Sequence, residues 1–237
     1  FSGNPELVTF PVLQNCWPRK SSNLFDYLNF ASLLENSVAG PSSLIIRTSQ
    51  FGQVLMFEIK HRETREILMR IEEDTLENRS FDGAQLVGAD FSGMNLSGAD
   101  FGNSDLRDAD FTNSQLEGTS FKRANLNQSI FVGAKAVRAD FTDATIDQAR
   151  FCEADLSETL FRYARVTETD MSGVRLDRAD MSLTELRSNF NDASMVETDL
   201  RGANLTSANL NGANLTQANL ADATLADTQM LRVRMTG

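Results

Sequence analysis

A large apolar residue recurs at every fifth position from Phe81 to Met235, and this spacing constrains the fold more than any other feature of the chain. The first members of the series are Phe81, Leu86, Phe91, Leu96 and Phe101. Ala136 interrupts the series, and a four-residue step separates Leu186 from Phe190. Period five matches neither the 3.6 residues of a helical turn nor the two of a simple strand. An internal structural repeat therefore has to explain it.

Each repeat has a small residue two positions before the large one and a polar residue between them, as in Ala89-Asp90-Phe91. A small–polar–large alternation predicts a short extended segment with its small and large residues inward and its polar residue outward. The two remaining residues are often Gly, Ser, Asn or Asp, which suit a tight corner. Alternating strands and corners form a coil, and stacked coils form a solenoid.

The repeat resembles the pentapeptide-repeat family, whose motif is Ala-Asp/Asn-Leu/Phe-x-x. Ala89-Asp90-Phe91-Ser92-Gly93 and Ala203-Asn204-Leu205-Thr206-Ser207 match that motif as they stand. The resemblance extends over residues 76–237 and implies an all-β solenoid, a right-handed quadrilateral β-helix with four units per coil. The roughly 32 units from Phe81 to Met235 would then form about eight coils.

Phenylalanine recurs every ten residues from Phe81 to Phe161, with an aliphatic residue usually midway. With twenty residues per coil, alternate phenylalanines stack in two columns on facing walls, and aliphatic columns fill the other two walls without voids. The predicted first column is Phe81, Phe101, Phe121, Phe141 and Phe161. The predicted second column is Phe91, Phe111, Phe131 and Phe151.

Residues 1–75 are predicted to form a small α+β N-terminal domain. Ser21 and Ser22 precede apolar residues at helical spacing, and Gly40-Pro41 ends the predicted helix. Strands are predicted at residues 43–49, 53–60 and 66–73, the last with a short helix as its alternative. The first coil of a solenoid leaves a strand edge and an apolar core end bare. We expect residues 1–75 to cap that end, with a separate binding module as the alternative.

The chain is acidic, with a net charge of −11, and residues 76–237 hold 24 Asp and Glu against 15 Lys and Arg. We therefore expect it to bind neither nucleic acid nor an anionic membrane directly. The longest uncharged stretch, residues 202–221, contains five asparagines and belongs to the repeat, so no transmembrane segment is predicted. The first residue is Phe1. A chain that begins without methionine is explained either by processing, for example of an organellar protein, or by trimming to a fragment. The sequence does not indicate the cellular compartment.

The sequence offers little catalytic chemistry. It lacks a phosphate-binding glycine motif and any His or Cys cluster at metal-ligand spacing. His61 is the only histidine and falls in a predicted turn. The many outward aspartates follow the period of the fold, which explains them without acid–base catalysis. We predict a non-enzymatic protein with no catalytic residue, metal or cofactor. Cys16 and Cys152 are the only cysteines; Cys152 should face outward, and their pairing stays open.

Departures from the repeat indicate where a partner would bind. Some outward positions hold apolar residues where Asp, Ser or Gly is usual. One group, here the aliphatic surface, consists of Ile130, Val132 and Val137 with Arg150 and Cys152 beside them. A second group across the solenoid, here the corner surface, consists of Leu160, Tyr163 and Leu183. Contiguous exposed apolar groups near an arginine are typical of interfaces, whereas isolated exposed apolar residues are ordinary.

Three functions are compatible with these features. The leading hypothesis is a non-enzymatic scaffold that binds other proteins, as an accessory or assembly subunit of a larger complex. The second is an acidic DNA mimic, because some pentapeptide-repeat proteins protect DNA gyrase. In the family that activity is associated with a C-terminal dimerising helix, for which we expect no room here, and Arg232 and Arg234 reduce the acidity of the tip. The third is a secreted bacterial effector, since some effectors carry such repeats behind a small N-terminal domain.

Overall fold

The computed structural model describes residues 44–49 and 52–236. It begins with an antiparallel sheet of order β1-β2-β3, formed by β1 (Leu44–Ser49), β2 (Gly52–Lys60) and β3 (Ile67–Ile71). These strands confirm the three that the sequence predicts, and the third is a strand, not a short helix. The helix predicted within residues 21–40 lies outside the described residues, as does Cys16.

The repeat forms four-sided coils of twenty residues. Parallel bridges join residues one coil apart, as in Ser80 with Asp100 and Gln85 with Asp105. Four such bridges, five residues apart, make up each coil. On one side they extend into a second sheet of order β4-β5-β6, formed by β4 (Thr145–Asp147), β5 (Arg165–Asp170) and β6 (Glu185–Asn189). The parallel pairing confirms the solenoid of strands and corners, and the number of about eight coils stays a prediction.

The phenylalanines stack in the two predicted columns, and all nine are buried. Successive rings of one column lie nearly parallel, with centroids 4.4 Å apart between Phe131 and Phe151 and an interplanar angle of 4°. The two columns meet edge to face inside the coils, where Phe101 and Phe111 have centroids 5.8 Å apart at 85°. Both arrangements are the ones that aromatic rings prefer, so the columns fill the interior and gain from their geometry.

Some of the small inward residues are Ser or Thr, because backbone carbonyls can accept the hydrogen bond of a buried hydroxyl. Ser104 Oγ donates to the Phe101 carbonyl at 2.6 Å, and Thr119 Oγ1 donates to the Leu96 carbonyl at 2.9 Å. A buried hydroxyl without such a partner would cost the free energy of its desolvation. The small inward position therefore accepts Ser and Thr as readily as Ala.

The corners determine which residues can follow each large one. The Ala84 N–H donates to the Phe81 carbonyl at 3.0 Å, and Gly83 between them has a φ of 68°, as in a type II turn. The preceding polar residue stabilises the corner as well, since Asp110 Oδ1 accepts the Thr112 N–H at 2.9 Å. The outward aspartates are therefore structural acceptors for the backbone.

The antiparallel sheet packs against the first coil. Phe57, Ile59 and Ile71 belong to the same apolar cluster as Phe81. The Asp90 N–H donates to the Lys60 carbonyl, and the Arg62 N–H donates to the Gly88 carbonyl, each at 2.8 Å. A Cβ at Gly88 would overlap the His61 imidazole, so this close approach requires glycine. The domain boundary after residue 75 stays a prediction.

The four-residue step after Leu186 shortens one corner without interrupting the parallel ladder. The bridge offset changes from twenty to nineteen residues between Thr167 and Asp170 and returns to twenty at Asn189, which pairs with Asn209. Ser188 Oγ accepts the Thr169 N–H at 3.1 Å and donates to the Val166 carbonyl at 2.9 Å. The hydroxyl thus supplies hydrogen bonds within the shortened corner.

Replacing a stacked phenylalanine should destabilise the protein far more than replacing an outward aspartate. We expect Phe121→Ala and Phe131→Ala each to lower the free energy of unfolding by about 3–5 kcal/mol, because each leaves a cavity in the core. Asp110→Asn keeps a side-chain oxygen that can accept the Thr112 N–H. We expect it to change the free energy of unfolding by less than about 0.5 kcal/mol. Chemical denaturation measures all three variants. Equal losses for Phe121→Ala and Asp110→Asn would contradict the inward assignment.

Candidate protein-binding surface

The corner surface exposes three large apolar side chains on one side of the solenoid. Leu160 is 40% exposed, Tyr163 is 54% exposed and Leu183 is 50% exposed. Leu160 lies on a straight segment and bridges Asp140 and Asp180 in the neighbouring coils. Tyr163 and Leu183 occupy the next corner in successive coils, about 5 Å apart along the solenoid. The three residues that the sequence groups together are therefore neighbours in space.

Tyr163 and Leu183 adopt an unfavourable backbone conformation for their side chains, with φ values of 61° and 57°. Every other non-glycine residue at positive φ within residues 44–49 and 52–236 is polar or charged. The left-handed conformation costs roughly 1–2 kcal/mol per residue for an L-amino acid, and Gly, Asn and Asp relieve it best. Such an outlier is a reason to infer a function, since exposed apolar groups at these two corners do not stabilise the turn.

Neighbouring residues hold these side chains on the surface. The Arg162 guanidinium lies 5.4 Å from the centroid of the Tyr163 ring, within the range of a cation–π interaction. Leu183 lies over the backbone of Gly202, where an added Cβ would be 2.8 Å from Leu183 Cδ2. A larger residue at position 202 would displace Leu183. Glycine there thus lets the leucine lie along the corner.

Basic residues border the corner surface. This cationic rim consists of Lys122, Arg123, Arg162 and Arg201. Lys122 Nζ is 3.0 Å from the Asp140 carboxylate, and an Arg201 nitrogen is 2.6 Å from the Asp199 carboxylate. Hydrogen bonds from Arg201 lower the pKa of Asp199. The cationic side chains of these pairs are about half exposed and the carboxylates less than a third. A partner approaching this corner therefore meets the cations first.

A shallow depression of about 500 Å³ adjoins the corner surface. Its lining residues are Lys122, Arg123, Asp140, Thr142, Asp143, Leu160, Arg162 and Tyr163. Asp143 is exposed and lies between Arg123 and Tyr163 in the column of corner residues. The depression combines apolar walls with hydrogen-bond donors from the cationic rim, as a protein-binding groove does.

The residues of the aliphatic surface are neighbours as predicted, but they expose less apolar area than the corner surface does. Ile130 bridges Arg150, and the Gly133 N–H donates to the Cys152 carbonyl at 3.1 Å, which places Val132 beside Cys152. The side chains of Ile130 and Val132 are half-buried, as is that of Val137 in the following corner. Arg150 is exposed. The role of this surface in partner binding stays a prediction.

Cys152 is half-buried beside a carboxylate. Its Sγ lies 3.1 Å from Asp170 Oδ2. Burial, followed by the hydrogen bond to Asp170, raises the pKa of the Cys152 thiol. A raised pKa keeps the thiol protonated at neutral pH, and the thiolate is the nucleophilic form. Cys16 lies outside the described residues, so the question of its pairing with Cys152 stays open.

The shortened corner forms a second depression, of about 370 Å³, whose chemistry the sequence analysis missed. The four-residue step at Leu186 was the only signal for it. The polar groups there satisfy one another, since Asn189 Nδ2 donates to Asp170 Oδ1 at 3.0 Å and Asn209 Nδ2 donates to Asn189 Oδ1 at 2.9 Å. The amide and carboxylate groups of this ladder therefore bind one another.

Residues 44–49 and 52–236 contain no group of three or more His, Cys, Asp or Glu that could hold a metal ion. Within those residues, no helix has the length and apolar character needed to cross a membrane.

Two family models match the chain in sequence. A model described as pentapeptide repeats (8 copies) matches residues 84–123, 187–222 and 198–237. A model described as a pentapeptide repeat region matches residues 104–181. Together they cover more than half of the chain. No curated protein gives a significant match.

Several solved structures are similar to the chain. HetL, a pentapeptide repeat protein involved in heterocyst differentiation regulation in the cyanobacterium Nostoc, is 26% identical over 65% of this chain and 83% of its own, with a TM-score of 0.35. QnrB1, a plasmid-mediated fluoroquinolone resistance protein, is 18% identical over 68% of this chain and 91% of its own, with a TM-score of 0.43. A pentapeptide repeat protein of the Arabidopsis thaliana thylakoid lumen is 28% identical over 54% of this chain and 67% of its own, with a TM-score of 0.22.

Relieving the backbone at the corner surface should stabilise the protein. We expect Leu183→Asn to raise the free energy of unfolding by about 0.5–1 kcal/mol, because asparagine tolerates a positive φ and the exposed leucine contributes little burial. Thermal and chemical denaturation measure the change. Gln217→Asn, at a polar corner of the same conformation, is the matched control. A loss of more than about 1 kcal/mol in Leu183→Asn would show that the leucine is structural.

Proposed function

The chain belongs to the pentapeptide-repeat family, and from that premise we propose that it is a non-enzymatic scaffold that binds another protein through the corner surface. Proteins of this family fold as right-handed quadrilateral β-helices. A solenoid of stacked coils presents its function on outward side chains, because its interior is filled by the repeat. In this proposal the chain is an accessory or assembly subunit of a larger complex.

One observation carries the proposal. Tyr163 and Leu183 hold large apolar side chains, half exposed, at corners whose backbone conformation favours Gly, Asn or Asp. A side chain that stabilises the fold would be buried or would suit its corner, and these two do neither. Burial against a partner would recover about 1.5–3 kcal/mol for each large apolar side chain before ordering costs. That gain would offset the backbone cost only in the bound state.

The composition of the corner surface supports the same function. Tyr and Arg are enriched among residues that dominate binding free energy at interfaces, and Tyr163 with Arg162 provides that pair. The aliphatic surface is the second candidate, because the half-buried side chains of Ile130 and Val132 leave less apolar area to bury. Both surfaces lie outside the core, so substitutions there separate binding from stability.

A double variant tests the corner surface. We expect Tyr163→Ser/Leu183→Asn to lose its partner in affinity purification from an extract of the source organism, while it melts at or above the temperature of the unchanged protein. The control is Asn103→Ser/Asp222→Asn, which changes two polar positions of the same corner column. Quantitative mass spectrometry of the captured proteins is the measurement.

Retention of every captured protein by the corner variant would contradict the proposal. In that case Ile130→Asp/Val132→Ser tests the aliphatic surface. Its control changes Ser92 and Thr112, which lie in the same outward column as Val132.

The DNA mimic is the alternative that the acidic composition suggests, and the carboxylates of the repeat give it less support. Outward aspartates such as Asp110 and Asp140 accept backbone N–H groups within their own corners. Others form ion pairs, as Asp105 does with Arg107 at 2.8 Å and Asp199 with Arg201 at 2.6 Å. A carboxylate engaged in this way is less available to a basic DNA-binding surface. The secreted effector stays a hypothesis of the sequence.

The protein should not protect bacterial DNA gyrase. We expect no inhibition of supercoiling at roughly micromolar protein, a range typical of weak specific binding, and no relief of quinolone inhibition. The reason is that ion pairs and corner hydrogen bonds occupy many of its carboxylates. A supercoiling assay with and without a quinolone measures both effects. Protection at that concentration would make the DNA mimic the leading function.

A further inference from the structure

We infer that the partner binds the corner surface through an extended acidic segment with an apolar residue at its centre. The apolar residue packs between Tyr163 and Leu183, and flanking carboxylates bind the cationic rim. This inference rests on the proposed function and specifies the chemistry of its partner. Three features support it, namely the hydrogen-bonding capacity left at the corner, the local balance of charge and the length of the surface.

The corner has hydrogen-bond donors to spare and few spare acceptors. Asp140 Oδ1 accepts the Thr142 N–H at 3.0 Å, and Asp180 Oδ1 accepts the Ser182 N–H at 3.0 Å. Asp199 Oδ1 accepts the Arg201 N–H at 3.1 Å. Each of these carboxylates also faces a cation of the rim. A basic partner would therefore compete with bonds that the corner already makes.

Two arginines of the rim, in contrast, make few side-chain hydrogen bonds, and the one from the Arg162 side chain goes to the Tyr163 hydroxyl at 3.4 Å. An arginine side chain has five N–H donors. Arg162 comes no closer to Asp180 than 3.9 Å, and Arg123 forms no ion pair within the part of the chain that the structure describes. Two arginines thus have most of their donors available beside an apolar patch. Planar donor groups of this kind bind carboxylates in pairs of parallel hydrogen bonds.

The charge balance at this corner differs from that of the repeat as a whole. Residues 76–237 carry 24 acidic against 15 basic residues, so an acidic segment is repelled from most of the solenoid. At the corner surface four cations face four carboxylates. The four cations are those of the cationic rim, and the four carboxylates are Asp140, Asp143, Asp180 and Asp199. Of these, Asp143 alone is both exposed and outside the three ion pairs. This balance favours an acidic segment here over the rest of the surface.

The length of the surface fits a short extended segment. The part of the corner column between Arg123 and Gly202 contains Tyr163 and Leu183 and covers four coil steps. At about 4.8 Å per step this part spans roughly 19 Å, which corresponds to about six residues of extended chain. The depression of about 500 Å³ beside Leu160 is open and shallow, as a side chain lying along the column requires. The partner segment therefore has a central apolar anchor and acidic residues toward Arg123 and Arg201.

Selection from a library of short random peptides displayed on phage tests this inference with the full chain. Peptides are selected on the unchanged protein and counter-selected on Tyr163→Ser/Leu183→Asn, so that those retained depend on the corner surface. We expect them to carry an apolar residue flanked by Asp or Glu. Their affinity should fall at least about tenfold on Arg123→Gln/Arg162→Gln, which removes two charges from the rim. Lys135→Gln/Arg175→Gln, in one outward column of another face, is the control and should leave the affinity of these peptides unchanged.

Each other outcome contradicts the inference and bears differently on the proposed function. Corner-dependent peptides that are basic or uncharged would contradict the inference of an acidic partner segment. They would not contradict the proposed scaffold function. Tighter corner-dependent binding of a single-stranded oligonucleotide than of any selected peptide would point to nucleic acid. Failure to recover corner-dependent peptides would overturn the inference, whereas the affinity purification described above decides separately whether the corner binds a protein.

Discussion

Every feature of this repeat depends on the stacking of inward side chains that lie twenty residues apart. The Phe131 ring stacks on the Phe151 ring of the next coil, with their centroids 4.4 Å apart. The Phe131 N–H donates to the Arg150 carbonyl at 2.7 Å. Ring stacking and the parallel ladder therefore require the same register. A one-residue slip would misalign both, and the one that occurs after Leu186 is accommodated at a corner where Ser188 makes the added hydrogen bonds.

The same register fixes what the outward positions can do. Each five-residue corner has a residue with positive φ, and in most coils Gly or a polar residue occupies that position. Tyr163 and Leu183 adopt this conformation at a cost in free energy, and about half of each residue is exposed. The core is complete without these two side chains, so the core does not require the unfavourable backbone conformation at these two surface positions. Binding and stability are thereby assigned to different residues of the same short repeat, which is the physical basis for treating the chain as a scaffold.

The sequence predicts the inward half of the fold well and the outward half incompletely. The columns of Phe81 and Phe91 follow from the ten-residue recurrence of phenylalanine together with the four units per coil that the resemblance to the family implies. The reduced exposure of Ile130 was missed, since Asp110 and Arg150 in the neighbouring coils lie beside it. The cationic rim was also missed, because two of its ion pairs, Lys122–Asp140 and Arg162–Asp180, join residues about one coil apart.

In the proposed scaffold a partner covers the corner surface and leaves the aliphatic surface exposed. Hydroxyl-radical footprinting with mass spectrometry tests it directly, on the purified protein and on the complex isolated from its source. We expect Tyr163 and Leu183 to be oxidised readily in the free protein and several-fold more slowly in the complex, while Val132 reacts equally in both. Equal oxidation of Tyr163 and Leu183 in the two samples, with protection elsewhere, would contradict it.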